Sequence, residues 1–162
     1  MAIEVRDGQL KAGTPEPFLA TPFIDTDPAF SPDGKWIAYQ SSESGPRDDI
    51  YVRRFPASSS GGKWVIPTNG GSDPHWSRAG HELLYKGPEG IMAAAYSVKG
   101  DMFVAEKPRL WRANFSGTDF DLAPDGKRLA VVVQTEAPQP EHEAVFIEHF
   151  FDELRRRVPA GR

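Results

Sequence analysis

The chain has 162 residues, the length of one domain of ordinary size, long enough to bury a core without staples. Its 15 Gly and 15 Pro point to a folded chain with many turns, and the absence of Cys excludes disulfides, thiolate metal sites and Cys nucleophiles. With 19 basic and 23 acidic residues the net charge is -4, which gives no electrostatic footprint for nucleic acid. In chain order, the first 21 residues read as outer strands that lead into a hairpin at 26–41, TDPAFSPDGKWIAYQS. Strands at Asp49–Phe55 and Lys63–Thr68 complete that unit, joined by small, polar surface loops such as Ala57–Gly62. A second hairpin at 72–87, SDPHWSRAGHELLYKG, is followed by strands at Ile91–Ser97 and Phe103–Arg112. A third at 118–133, TDFDLAPDGKRLAVVV, is followed by Ala144–His149. A terminal helix is predicted over 150–158, because Phe151, Leu154 and Val158 share one helical face and Pro159 ends it. That helix is expected to dock on the last sheet, with Arg155, Arg156 and Arg157 in solvent.

The three hairpins align without gaps. Gly34, Gly80 and Gly126 recur with a spacing of 46 residues (34 to 80, 80 to 126). Asp27, Asp73 and Asp119 share a column, as do Phe30, Trp76 and Leu122, and Ile37, Leu83 and Leu129. Pro-Asp-Gly supplies a preset φ and residues tolerant of left-handed backbone, the chemistry of a tight hairpin. Four strands per period of about 40–50 residues is the arithmetic of a β-propeller. The predicted fold is all-β: a propeller segment of three four-stranded blades at 26–68, 72–112 and 118–149, with a short C-terminal helix.

FSPDGKWIAY, WSRAGHELLY and LAPDGKRLAV resemble the WD40-like propeller repeat of the TolB type. With DIYVRRFP, GGSDPHWS and the closing FFDELRRRVP, the chain further resembles the propeller region of bacterial serine/threonine kinases of the acidobacterial kind. The resemblance implies a sensory or interaction module, on the periplasmic side if it stands behind a membrane-anchored kinase. Propellers close with about 4–8 blades, and this chain has fewer. A C-terminal fragment of a longer propeller, or a short product derived from one, is the expectation. Two chains completing one ring, or marginal stability as a monomer, then follow from unpaired faces at both ends.

The sequence holds no kinase Gly-rich loop, H-R-D or D-F-G, no Walker A loop, no dinucleotide fingerprint and no G-x-S-x-G elbow. A non-catalytic binding or sensory scaffold is therefore expected. The alternative is the accessory propeller of a kinase or a prolyl-oligopeptidase-type peptidase whose catalytic domain is encoded elsewhere. No cofactor and no metal are expected. His81 replaces the turn lysines Lys35 and Lys127, His75 also lies near the middle turn, and His142 and His149 fall on opposite faces of one strand. No apolar run is long enough for a membrane span, and no signal-peptide pattern opens the chain. Trp76 shares the apolar column that marks packing between blades. Trp36 shares a column with Glu82 and Arg128, so a more exposed position is read for it, with core or rim packing as its role and ligand stacking as the alternative. Asp27, Asp73 and Asp119 each follow Thr or Ser at the start of a first strand, where such strands line a propeller channel. They are turn residues by type, and together an acidic ring for a cation, a basic peptide end or a partner's Lys or Arg. The expected partner is a protein, peptide or small ligand at the channel mouth.

Overall fold

A computed structural model of the chain describes residues 3–6, 9–57, 62–67 and 69–134. The expected strand at 144–149 and helix at 150–158, with His142, His149 and the three arginines, lie outside the described residues. The described residues are all-β apart from one 3-10 turn at Ser42–Ser44. No helix among them is long and apolar enough to cross a membrane.

Strands β1 (Ile3–Arg6) and β2 (Gln9–Ala12) form an antiparallel hairpin. Next come β3 (Asp25–Phe30), β4 (Trp36–Ser41), β5 (Asp49–Arg54) and β6 (Lys63–Val65), a four-stranded antiparallel sheet in chain order. The second sheet runs β7 (Ser72–Trp76), β8 (Glu82–Gly87), β9 (Gly90–Lys99), with β10 (Met102–Ala105) and β11 (Arg109–Ala113) both on the outer edge of β9. Strands β12 (Asp119–Leu122) and β13 (Leu129–Val132) pair as the third hairpin. The second sheet thus has five strands where four were expected, because the run 103–112 is split. Pro108 has no N–H to give the ladder. β10 pairs with the distal half of β9 and β11 with its proximal half, on either side of that break.

The 46-residue period is visible bond by bond. Ser31 N donates to Trp36 O, Ser77 N to Glu82 O and Ala123 N to Arg128 O, each at 2.9 Å. In the first and third turns, Asp33 and Asp125 accept from the backbone N–H of Lys35 and Lys127. There Gly34 and Gly126 take left-handed φ of 68° and 67°. The middle turn has Ala79 in place of the aspartate, and Gly80 stays out of the left-handed region.

Side chains alternate across each strand, so each sheet has two faces. Trp36, Ala38, Ile50 and Val52 of the first sheet pack against Trp76, Leu83, Tyr85 and Phe103 of the second. The opposite face of the second sheet, with Leu84, Ile91 and Ala93, packs against Phe120 and Leu122 of the third hairpin. Leu83-Leu84-Tyr85 is an unbroken apolar run because β8 is covered on both faces. Strand β7 lies beside both β3 and β12, so the first strands of the three hairpins are neighbours. Trp76 ties the second sheet to the first: its Nε1 donates to Ala29 O of β3 at 2.9 Å, while its ring packs edge-on at 6.0 Å from Phe103 of its own sheet.

Trp76→Ala is expected to lower stability by about 3–5 kcal/mol, the cost of emptying a large aromatic site. Trp76→Phe should retain a good part of that, losing the hydrogen bond. Urea denaturation of the purified chain measures both, and an alanine variant within 1 kcal/mol of wild type, in order of magnitude, would contradict the joining role.

Candidate functional site

The aspartate column owes its recurrence first to the backbone. Asp27 and Asp73 have φ of 52° and 54°, left-handed values that Asp and Asn tolerate better than most residues. Each is the extra residue of a β-bulge, between Thr26 and Ala29 in β3 and between Ser72 and His75 in β7. Pro28 and Pro74 follow them, residues without a donor, suited to a point where the ladder is interrupted. Asp119 is followed by Phe120 instead. β12 pairs with β13 without a register shift, and Asp119 Oδ1 accepts from Phe120 N at 2.8 Å.

The structure brings two of the three aspartates together. One ligand atom each of Asp73, His75 and Asp119 lies within 4.8 Å of the others. Asp27 is not a member of this cluster; it is exposed, and accepts from the Thr26 hydroxyl at 3.3 Å. Asp73 Oδ1 accepts from His75 Nε2 at 2.9 Å, and its Oδ2 is 2.8 Å from Lys86 Nζ. His75 Nδ1 lies 3.8 Å from Asp121 Oδ1, and its ring packs on Phe120 at 4.3 Å. Lys86 Nζ also donates to Thr118 O at 2.6 Å and lies 5.9 Å from the Phe115 and Phe120 rings. Burial alone would raise the Asp73 pKa. The hydrogen bonds from His75 and Lys86 outweigh it and hold the carboxyl below its ordinary 3.8.

His75 and Lys86 are departures from the repeat. The column of His75 reads Ala29, His75, Asp121, and that of Lys86 reads Gln40, Lys86, Val132. Only the middle aspartate therefore receives a cation and a ring nitrogen. Those two column breaks are the signal from which the cluster is readable in sequence. The three residues have donor types and spacing that fit one metal ion, but Lys86 and His75 already engage both oxygens of Asp73. Among the described residues the junction gathers three carboxylates, Asp73, Asp119 and Asp121, and one ammonium, that of Lys86, which pairs with Asp73. Asp119 and Asp121 are exposed on its outer side.

A cleft of about 950 Å³ runs beside this junction, where the ends of β3, β7 and β12 meet their turns. Ala29 and Phe30, His75 and Trp76, and Asp121 and Leu122 line it, one pair from each first strand, and Arg78 and Arg128 border it with Asp121 as the one carboxylate of its lining; Arg128 is paired to Asp125 at 2.9 Å. His75 and Asp121 belong to both the cleft and the acidic junction. Trp36, by contrast, is buried to 4% exposure rather than presented to solvent. Phe103 and Trp64 pack against its ring, both at 5.4 Å, and fill the space a stacked ligand would need. Its companions Glu82 and Arg128 do remain partly or fully exposed, so the column misleads at this one position. No family model matches the chain, and no curated protein is significantly similar to it.

Because the folded pKa of Asp73 is depressed, its stabilising contribution is present above the unfolded value and disappears as pH falls through the folded one. Asp73→Asn should therefore be less stable than wild type by about 1 kcal/mol at pH 7, with the gap closing once the pH drops below 3.8. Urea midpoints at neutral and acid pH provide the measurement. A gap that does not change with pH would assign the effect to shape rather than charge. At Asp27, glycine or asparagine should be tolerated, whereas valine should cost about 1–2 kcal/mol through left-handed strain. Equal losses for Asn and Val in thermal melts would instead show that the Asp27 charge is what counts.

Proposed function

We propose that the chain is a β-propeller segment serving as a non-catalytic binding or sensory scaffold, and that its ligand is a cationic group, a Lys or Arg side chain or basic end of a protein or peptide partner. The observation that carries this reading is the convergence of three first strands on one cleft with an acidic junction at its side. Sheets repeated at a fixed period, each contributing its first strand to a common cleft, are the way a propeller builds a binding surface. Asp121 on the cleft wall, with Asp119 and Asp73 in the junction beside it, supplies the negative field that a cation would meet there. Asp119 and Asp121 are the binding residues in this reading, and Asp73, fixed by His75 and Lys86, holds the junction in shape. Asp27 belongs to the acidic ring only if further repeats bring it to the same channel, and within this chain it acts as the bulge residue.

Calorimetric titration with a tetra-arginine peptide tests the reading. Binding that weakens as salt rises, and falls about tenfold or more in Asp119→Asn combined with Asp121→Asn, is the expected result. Both residues are exposed, so the double variant should melt close to wild type. Failure of the peptide to bind, or equal binding to the double variant, would overturn the assignment. The same preparation should show no phosphotransferase, peptidase or esterase turnover. Turnover abolished by substituting one of the chain's own residues would replace the scaffold with an enzyme.

A further inference from the structure

Phe30, Trp76 and Leu122 stand at the same position of the three repeats, yet Trp76 is 8% and Leu122 9% exposed while Phe30 is 57% exposed. The difference lies in what covers them. Trp76 is covered by the face of the first sheet that carries Trp36, Ala38, Ile50 and Val52. Leu122 is covered by the corresponding face of the second sheet, with Leu84, Ile91 and Ala93. Over Phe30 the described residues provide only Phe55, in edge contact at 4.9 Å and itself 36% exposed. At the other end of the chain, the covering face is present with nothing described beneath it. Ala130 and Val132 of β13 occupy the positions of Leu84 and Lys86, and Val132 is 58% exposed. Ala38 and Leu84, the equivalents of Ala130, are both buried, and Gln40 and Lys86, the equivalents of Val132, are half-buried. Among the described residues one type of interface is made twice, and one half of it at Phe30 and the other half at Ala130–Val132 remain exposed.

We propose that the Phe30 face of one chain docks against the Ala130–Val132 face of a second copy, head to tail. This continues the interface already formed between β3 and β7 and between β7 and β12, and it rests on the reading of the sheets as successive propeller blades. A head-to-tail contact is heterologous, and it ends only where rotation brings the last copy back to the first. Phe30 supplies the aromatic anchor and Val132 the aliphatic cover, the arrangement in which a few central apolar residues dominate an interface.

Sedimentation velocity of the full chain over a wide concentration range tests this. Wild type should associate, and Phe30→Asp and Val132→Asp should each raise the dissociation constant about tenfold or more. An equimolar mixture of the two variants should recover a dimer, because one retains the intact tail and the other the intact head. Phe30 and Val132 are exposed in the single chain, so both variants should keep their melting temperatures when dilute. Wild type that stays monomeric throughout overturns the proposal. So does association abolished by Phe30→Asp alone without rescue by mixing, which is a symmetric head-to-head contact. Phe30→Asp that weakens peptide binding without changing association also overturns it, making Phe30 a wall of the cleft and nothing more. Peptide titration separates the two readings: a monomer with Asp119-dependent binding defeats the docking alone, and a head-to-tail dimer without such binding defeats the ligand assignment alone.

Discussion

Everything else in the chain hangs on the aromatic layer between the first two sheets. Phe103, delivered by β10, sits at its centre with ring centroids 5.4 Å from Trp36, 6.4 Å from Trp64, 6.0 Å from Trp76 and 5.0 Å from Tyr96. The three tryptophan pairs are tilted or edge-on and the Tyr96 pair is stacked, and aromatic pairs in such arrangements contribute about 0.5–1.5 kcal/mol each beyond the area they bury. Four of the five rings belong to strands far apart in sequence, so the layer forms only when β4, β6, β7 and the β9–β10 hairpin are all in place. It also sets the separation of β3 and β7, and with it the Trp76-to-Ala29 hydrogen bond and the side-by-side placing of first strands. The cleft and its acidic border follow from that placing, since each strand contributes only two or three residues to them.

The same dependence explains what could be read in the sequence and what could not. Turn chemistry and strand alternation are local, and they gave the hairpins, their period and the buried columns of Ile37, Leu83 and Leu129. Leu83 is fully buried and Leu129 partly so, in agreement with their shared position. Trp36 misled because its burial comes from Phe103 on another sheet, a long-range partner that its own column of Glu82 and Arg128 does not reveal. In the second repeat the corresponding Glu82 is directed instead to Arg109, 2.7 Å away on the same sheet. The split of the outer edge into β10 and β11 was legible at Pro108 but requires knowing that β9 is long enough to hold both strands.

The aspartate column shows how one repeated residue can carry two kinds of information. At Asp27 and Asp73 the shared cause is backbone: a bulge with left-handed φ ahead of proline. At Asp119 the bulge is absent and the residue remains. Charge is thus the property that survives across all three, while conformation is common to only two. The middle copy adds His75 and Lys86, which hold its carboxylate ionised and lock it against β12. The polar junction between β7 and β12 has no counterpart in the first hairpin, where Ala29 of β3 and Gln40 of β4 stand instead. Gln40 is turned to Asp48, at 2.6 Å.

Repetition and departure from it therefore have separate physical roles here. The repeated positions, Phe30, Trp76 and Leu122 and the hairpin turns, make sheets that can stack on one another by the same contact any number of times. Such a contact carries no instruction to stop, and among the described residues Phe30 and Val132 are the exposed members of it. The departures, His75, Lys86 and Asp121, make one junction unlike the others and place its charge beside the cleft. Stacking without the departures would give two equivalent and featureless seams. The departures without the stacking would leave a histidine, a lysine and an aspartate on separate strands. Asp73 is held below its ordinary pKa by His75 and Lys86 of its own sheet, and the packing of the third hairpin against that sheet then sets Asp119 and Asp121 beside it.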